Sequence, residues 1–208
     1  GSTQACVRVD EAFLNVDVTR ATLHRQLVNL GVHRQFNTEA DIETLAGRYD
    51  QVVDATYGRH WPESLRYEVC ETVYIQLGEH YRDQSFVVMD GDYCSLDPRG
   101  DLHLLYDVRH SVHAVNHIPD HLVPLLDKGR VFTRHTRMDA MLQTARQFLR
   151  GLGMPQYWGS LFTVRAVLPD DGTDARPTLL RTDGNITRIM SGKLCMAPWA
   201  AEQVAVFP

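Results

Sequence analysis

Apolar residues recur along this chain in two periods, and the alternation between them predicts its elements. A spacing of three and four places Leu23, Leu27 and Leu30 on one face of a helix over about 18–30, with Asp17 as its N-cap and Gly31 as its stop. Val32 to Phe36 reads as extended, and Tyr49 to Ala55 as a buried strand. From Arg66 to Leu77 the period falls to two: Tyr67, Val69, Val73, Ile75 and Leu77 share one side, and Glu71 alone breaks the rule. Phe86–Leu96 and Leu102–Arg109 are read as two more strands, with Asp97-Pro98-Arg99-Gly100 as the turn of a hairpin. Arg137–Arg150 carries the clearest helical stripe (Met138, Met141, Leu142, Ala145, Phe148, Leu149), closed by Gly151. Tyr157–Leu168 is extended, 169–177 is a polar loop, and Leu179–Arg181 and Asn185–Met190 are strands joined at Asp183-Gly184. A closing helix spans Leu194–Val204, with Pro198 tolerated in its first turn. The pattern predicts one α+β domain over 1–208, with a mostly antiparallel mixed sheet of about five strands and three helices.

Composition changes little in that picture. The chain has 208 residues, 44% hydrophobic and 23% charged, with a net charge of −5, which suits a globular protein with a real core. No basic stripe points to nucleic acid, and no apolar run approaches the ~20 residues of a membrane span. The polar opening Gly1-Ser2-Thr3-Gln4 has no signal-peptide pattern, and Gly-Ser is also what a cloning scar leaves. Cys6, Cys70, Cys94 and Cys195 include no CxxC pair and read as reduced thiols of a cytoplasmic protein.

His110, His113, His117 and His121 are spaced three, four and four apart, which on a continuous helix would gather them on one face as zinc ligands often are. Pro119 and Pro124 interrupt the segment, there is no HExxH, and separate hydrogen-bonding histidines over a core are the plainer reading. The sequence contains no GxSxG elbow, no GxxxxGK[ST] phosphate loop and no GxGxxG.

Four stretches, in one order, resemble the second half of flavin-dependent oxidoreductases of the D-amino-acid-oxidase (DAO) family. YDQVVDATYG (49–58) is similar to the D-x-V-V-x-A-T-G strand that brings small residues beside the dinucleotide; Ala55, Thr56 and Gly58 match, and Tyr57 is an insertion. FVVMDGDYCSLDPRGDLHLLYDV (86–108) resembles the substrate-domain hairpin, with Tyr93 as the aromatic residue over the substrate. LFTVRAVLPDD (161–171) resembles the G-x-R-P-x-x-P-D stretch, with Arg165 at the arginine but without its glycine and first proline. ITRIMSGKLCMAPWAAEQVA (186–205) resembles the closing strand, loop and helix that meet the flavin, with Ser191-Gly192-Lys193 at the loop.

The resemblance implies a substrate-binding portion over 66–168, flanked by two parts of the FAD-binding domain at 49–58 and 186–205. It implies FAD as cofactor in the complete protein, with hydride removed from a carbon beside an amine or hydroxyl. Arg165 would hold a substrate carboxylate with its planar fork, Tyr93 would close over it, and Lys193 would stabilise the reduced, anionic flavin. It further implies a missing nucleotide-binding half, because nothing in residues 1–48 supplies a Gly-rich pyrophosphate turn. The chain would then be an excised segment, a truncated homologue or one subunit of a split enzyme. It would bind FAD poorly alone, and would self-associate or take a GxGxxG-bearing partner. A non-catalytic ligand-binding module of the same fold is the alternative from another class, and a histidine-ligated metalloenzyme is a third.

Overall fold

The computed structural model describes residues 5–10, 14–89, 93–122, 126, 135–169 and 177–205. The fold is α+β and mostly antiparallel, and the described residues form nine strands in two sheets rather than about five in one. Most of the polar loop expected at 169–177 lies outside the described residues.

The larger sheet is organised by β2 (Arg66–Gln76). One edge of β2 runs antiparallel to β7 (Gln156–Val167) over its whole length, from Arg66↔Val167 to Gln76↔Gln156. Its other edge is shared: β5 (Leu102–Asp107) takes Val73–Ile75, and β6 (Val112–Asn116) takes Tyr67–Cys70. Beyond β5 follow β4 (Cys94–Arg99) and β3 (Phe86–Val88). The stretch read as one strand over 86–96 is thus two, paired to each other through Phe86↔Leu96. The β4–β5 turn falls at Gly100-Asp101, where Gly100 supplies a φ of 62°, while Asp97-Pro98-Arg99 belongs to the strand. Turn-type residues there were a misleading signal, because pairing with β5 decided the boundary.

The smaller sheet has the order β1 (Val52–Asp54), β9 (Ile186–Ser191), β8 (Thr178–Asp183). β1 and β9 are parallel, and β8 and β9 form a hairpin whose turn carries Gly184 at φ 57°, a conformation suited to glycine.

Period-two alternation puts Tyr67, Val69, Glu71, Val73 and Ile75 on one face of β2. Two clusters cover that face. At one end Val73, Ile75, Cys94, Leu96 and Leu105 pack on Met141, Leu142 and Ala145 of the helix Met138–Phe148, as its apolar stripe predicts. At the other end Tyr67, Val69, Leu65 and Ala166 meet Met190 and Leu179 of the smaller sheet, so this cluster joins the two sheets. Numbered along the chain, the helices are α1 (Val16–Asn29), α2 (Ile42–Ala46), α3 (Met138–Phe148) and α4 (Ala197–Ala205).

The expected first helix forms, but Asn15 caps it, accepting from the Val18 N–H at 3.1 Å, and Asp17 is its second residue. Gly31 at φ 68° ends it. No residue of α1 is buried, and Leu23 and Leu27 are 53% and 37% exposed. The short α2, capped by Asp41, had no periodic signal. Among the described residues no helix is long and apolar enough to cross a membrane.

Candidate functional site

β1 and β9 are parallel, so their carboxyl ends open on the same side. In open sheets with parallel strands, ligands sit at those ends. Here the chain leaves β1 as Ala55-Thr56-Tyr57 and leaves β9 as Gly192-Lys193-Leu194, and a short 3-10 turn then leads into α4. Between them lies a cavity of about 710 Å³. Val53, Ile189, Ala200, Ala201 and Val204 give it apolar walls, while Ser191, Gly192 and Lys193 form a polar rim. Residues more than 130 positions apart in sequence therefore meet at one concavity.

The small side chains of α4 make the room, since larger residues at Ala197, Ala200, Ala201 and Ala205 would fill it. The rim is held by local bonds. The Ser191 hydroxyl lies 2.8 Å from the Thr178 hydroxyl, donates to the Lys193 carbonyl at 3.1 Å and accepts from the Lys193 N–H at 3.4 Å. On the β1 side, buried Asp54 accepts from the Thr56 N–H at 2.9 Å and its hydroxyl at 2.7 Å, and His60 Nδ1 lies 3.3 Å from its other oxygen.

Of the cofactor-binding residues named from sequence, Ala55, Ser191, Gly192 and Lys193 line the cavity, whereas Thr56 and Gly58 do not. Thr56 turns to Asp54. Gly58 serves the junction between the sheets: at φ 81°, an added Cβ would lie 2.6 Å from Leu65 Cδ1 and 3.1 Å from Met190 Sδ. Its carbonyl accepts the buried Tyr67 hydroxyl at 2.8 Å. The inserted Tyr57 adopts φ 61° and joins the cavity wall.

Arg165 stands opposite Glu68 in the β2–β7 register, on the face of the larger sheet away from α3. Its Nε and Nη2 donate to Glu68 Oε2 at 3.2 and 2.6 Å, and its Nη1 donates to the Tyr106 hydroxyl at 3.1 Å. Burial works against its charge, but the Glu68 hydrogen bonds outweigh it, aided by Tyr106, Cys70 and the Glu68 charge. The guanidinium is held above its ordinary pKa. Arg66 brings its Nε within 3.0 Å of Glu68 Oε1, though poorly aligned for a hydrogen bond.

Tyr93 directly precedes β4, and its carbonyl accepts the Val108 N–H at 3.0 Å. Continued alternation assigns position 93 to the face of Ser95 and Tyr106, which is also the face of Arg165. The aromatic residue found on Arg165 is Tyr106. Its signal was present in the alternation of β5, but the register that brings it to Arg165 is a tertiary fact.

The four spaced histidines are not on a helix. His113 lies in β6 and His121 ends a 3-10 turn, with His110 before the strand and His117 after it. Their partners differ. His113 Nε2 is 2.8 Å from Glu71, His117 Nδ1 is 3.0 Å from the Leu65 carbonyl, and His110 Nδ1 is 3.1 Å from Asp107 without hydrogen-bond alignment. Among the described residues no three histidine, cysteine or carboxylate side chains gather as a metal site.

Glu71, the polar interruption of the β2 face, is fully buried and fully engaged. It accepts from Thr136 and Ser160 hydroxyls at 2.5 Å each, from the Arg137 N–H at 3.0 Å and from His113. It therefore ties β2, β6 and β7 to the start of α3 where the two apolar clusters adjoin. No family model, curated protein or solved structure matches the chain, so the functional reading rests on these arrangements.

Proposed function

We propose that this chain forms the substrate-binding and flavin-facing part of an FAD-dependent oxidoreductase acting on an amino acid or a related small carboxylate or amine. The observation that carries the reading is the cavity at the carboxyl ends of β1 and β9. The two stretches that resemble flavin-contacting segments of DAO-type enzymes, 49–58 and 186–205, converge there from opposite ends of the chain.

The lining suits the flavin end of FAD. Its walls are apolar enough for a flat ring, its volume falls in the ~300–1,000 Å³ range of ligand pockets, and one rim carries a lysine. FAD, when bound, supplies the hydride acceptor. Val53, Ala55, Ile189 and the α4 alanines would exclude water from one side of the ring, and Lys193 would place a cation at its rim. Arg165 and Tyr93, on the open face of the larger sheet, would orient a substrate carboxylate. The pyrophosphate and adenosine would need a nucleotide-binding unit with GxGxxG from a partner chain or segment, since this sequence lacks that motif.

The test is quenching of FAD fluorescence by the purified chain at high protein concentration. Weak, saturable quenching is expected, with Ala201→Trp abolishing it by filling the cavity and Lys193→Ala weakening it several-fold. Quenching indifferent to both substitutions would remove the cavity as the flavin seat. Binding of small carboxylates with no flavin response at any concentration would favour the non-catalytic module.

A further inference from the structure

The smaller sheet has a second concavity, on the face opposite Ala55 and Lys193. Alternation sends Val53, Ala55, Ile189 and Ser191 to the cavity described above, so Asp54 and Arg188, register partners on β1 and β9, belong to the other face. There α2 and the segment before it border a cavity of about 330 Å³, lined by Glu39, Asp41, Ile42, Glu43, His60 and Arg188.

Arg188 is the unusual member of that lining. Its side chain is only 15% exposed, and its Nε is buried without a hydrogen-bond partner. Its one ion pair among the described residues is with Glu43 Oε1 at 3.8 Å, too long for a hydrogen bond, and the Glu43 side chain is 77% exposed. A guanidinium carries five N–H donors and no acceptor, and leaving such donors unbonded in a buried place is costly. The cavity thus presents a fixed donor fork.

His60 supplies the opposite polarity. The Thr56 hydroxyl gives its hydrogen to Asp54 at 2.7 Å, so its 3.4 Å contact with His60 Nδ1 needs the hydrogen on the ring. Buried Asp54 lies 3.3 Å from the same nitrogen. This relay assigns the neutral tautomer in which Nε2 is an acceptor. Glu39, Asp41 and Glu43 add carboxylate acceptors, one Asp41 oxygen being taken by the Thr44 N–H at 2.7 Å. A simple anion would meet these carboxylates, and a simple cation would meet Arg188. An uncharged ligand with vicinal hydroxyls satisfies both: its oxygens accept from the guanidinium fork, and its hydroxyl hydrogens go to His60 Nε2 and a carboxylate. Ile42 offers an apolar surface to its C–H groups. The volume lies at the small end of the ~300–1,000 Å³ range of ligand pockets, which suits a single sugar ring.

We propose that Arg188 and His60 form a binding site for a monosaccharide or cyclic polyol, whose vicinal hydroxyls bridge the guanidinium and the imidazole. The site stands independently of the flavin reading, because the two cavities share no lining residue.

The probes are D-glucose, D-galactose and myo-inositol. Tetrahydropyran-2-methanol serves as a ring without vicinal hydroxyls, and glycine as a zwitterion. Each is titrated into the full chain while the His60 ring and Arg188 Nε–H resonances are followed by NMR. At least one polyol is expected to shift both resonances saturably, with no response to tetrahydropyran-2-methanol. Added salt should leave the affinity unchanged, since the ligand is uncharged. Arg188→Met should weaken binding about tenfold or more without lowering the thermal unfolding midpoint, because the guanidinium makes no hydrogen bond to the described residues. His60→Ala, at a partly exposed position, should weaken it severalfold and keeps the test informative should Arg188→Met impair folding. Glu43→Gln keeps an acceptor and loses the charge, so it should hardly change polyol affinity. The proposal is overturned by no response to any of the polyols, by an equal response to tetrahydropyran-2-methanol, by a response to glycine alone, or by undiminished binding in Arg188→Met or His60→Ala.

Discussion

Glu71 shows how one residue can contradict a local pattern and still be required by the fold. Burial pushes its pKa up, but the Arg137 N–H and the Ser160, Thr136 and His113 side chains outweigh that, so the carboxyl is held below its ordinary value. A carboxylate with a depressed folded-state pKa adds stability that is fully present above its unfolded value, about 4.3, and is lost as pH falls through the lower folded value. The urea midpoint is therefore expected to fall below about pH 4, with Glu71→Gln flattening that acid limb. At pH 7 the same substitution should cost about 3 kcal/mol, because the amide keeps one acceptor oxygen and turns an NH2 group toward the donors placed for the other. Gly58 is a second such position. Gly58→Ala forces a Cβ into the Leu65 side chain at a backbone angle that favours glycine, and a loss of about 2 kcal/mol in thermal unfolding is expected. Neither role was visible in sequence: Glu71 looked like a lapse in alternation, and Gly58 like part of a dinucleotide turn.

At the scale of elements, strong periodicity was a good guide and short or mixed patterns were not. α3 forms where its stripe predicts and buries Met141 and Leu142 to 0% and 1% exposure. Leu142→Ala is accordingly expected to cost about 2–4 kcal/mol in denaturant unfolding, through lost burial and the cavity left behind. β6 was not read as a strand, because the prolines and histidines around it suggested a loop of separate hydrogen-bonding histidines, of which only His113 lies in the strand. The segment is a strand because β2 offers it an edge left unused by β5. α1 is the reverse case: its Leu spacing forms a helix, yet none of its residues is buried. Local spacing decides whether a helix can form, and only the remainder of the molecule decides whether its face is buried.

For the whole molecule, the proposed cofactor site has one end only. In the proposed reading the described cavity would meet the flavin alone, and the affinity of a dinucleotide depends on the pyrophosphate and adenosine as well. The 208-residue chain by itself is expected to bind FAD in the micromolar-to-millimolar range, with affinity rising when a GxGxxG-bearing unit is added. Val53, Tyr57, Leu194 and Trp199 are each at least 39% exposed around that cavity and α4, and apolar side chains exposed together in this way mark interaction sites. Light scattering should show a mass that rises with protein concentration. Tight, stoichiometric FAD binding by a monomer would contradict the account of the cavity as half a site.

By itself the sequence determined the α+β class, the long β2 and β7 strands, α3 with its buried stripe, and the β8–β9 hairpin. These depend on periodicity and turn chemistry carried within a dozen residues. It also singled out Ala55, Ser191, Gly192, Lys193 and Arg165, through short stretches in a particular order. Only the tertiary structure decided that Ala55 and Lys193 face one cavity, that Thr56 and Gly58 turn away from it, and that Arg165 is already held by Glu68 and Tyr106. Those outcomes depend on the parallel pairing of β1 with β9 and on the registers of β7 and β5 against β2. A register joins residues distant in sequence, and a shift of one position would send every side chain to the opposite face.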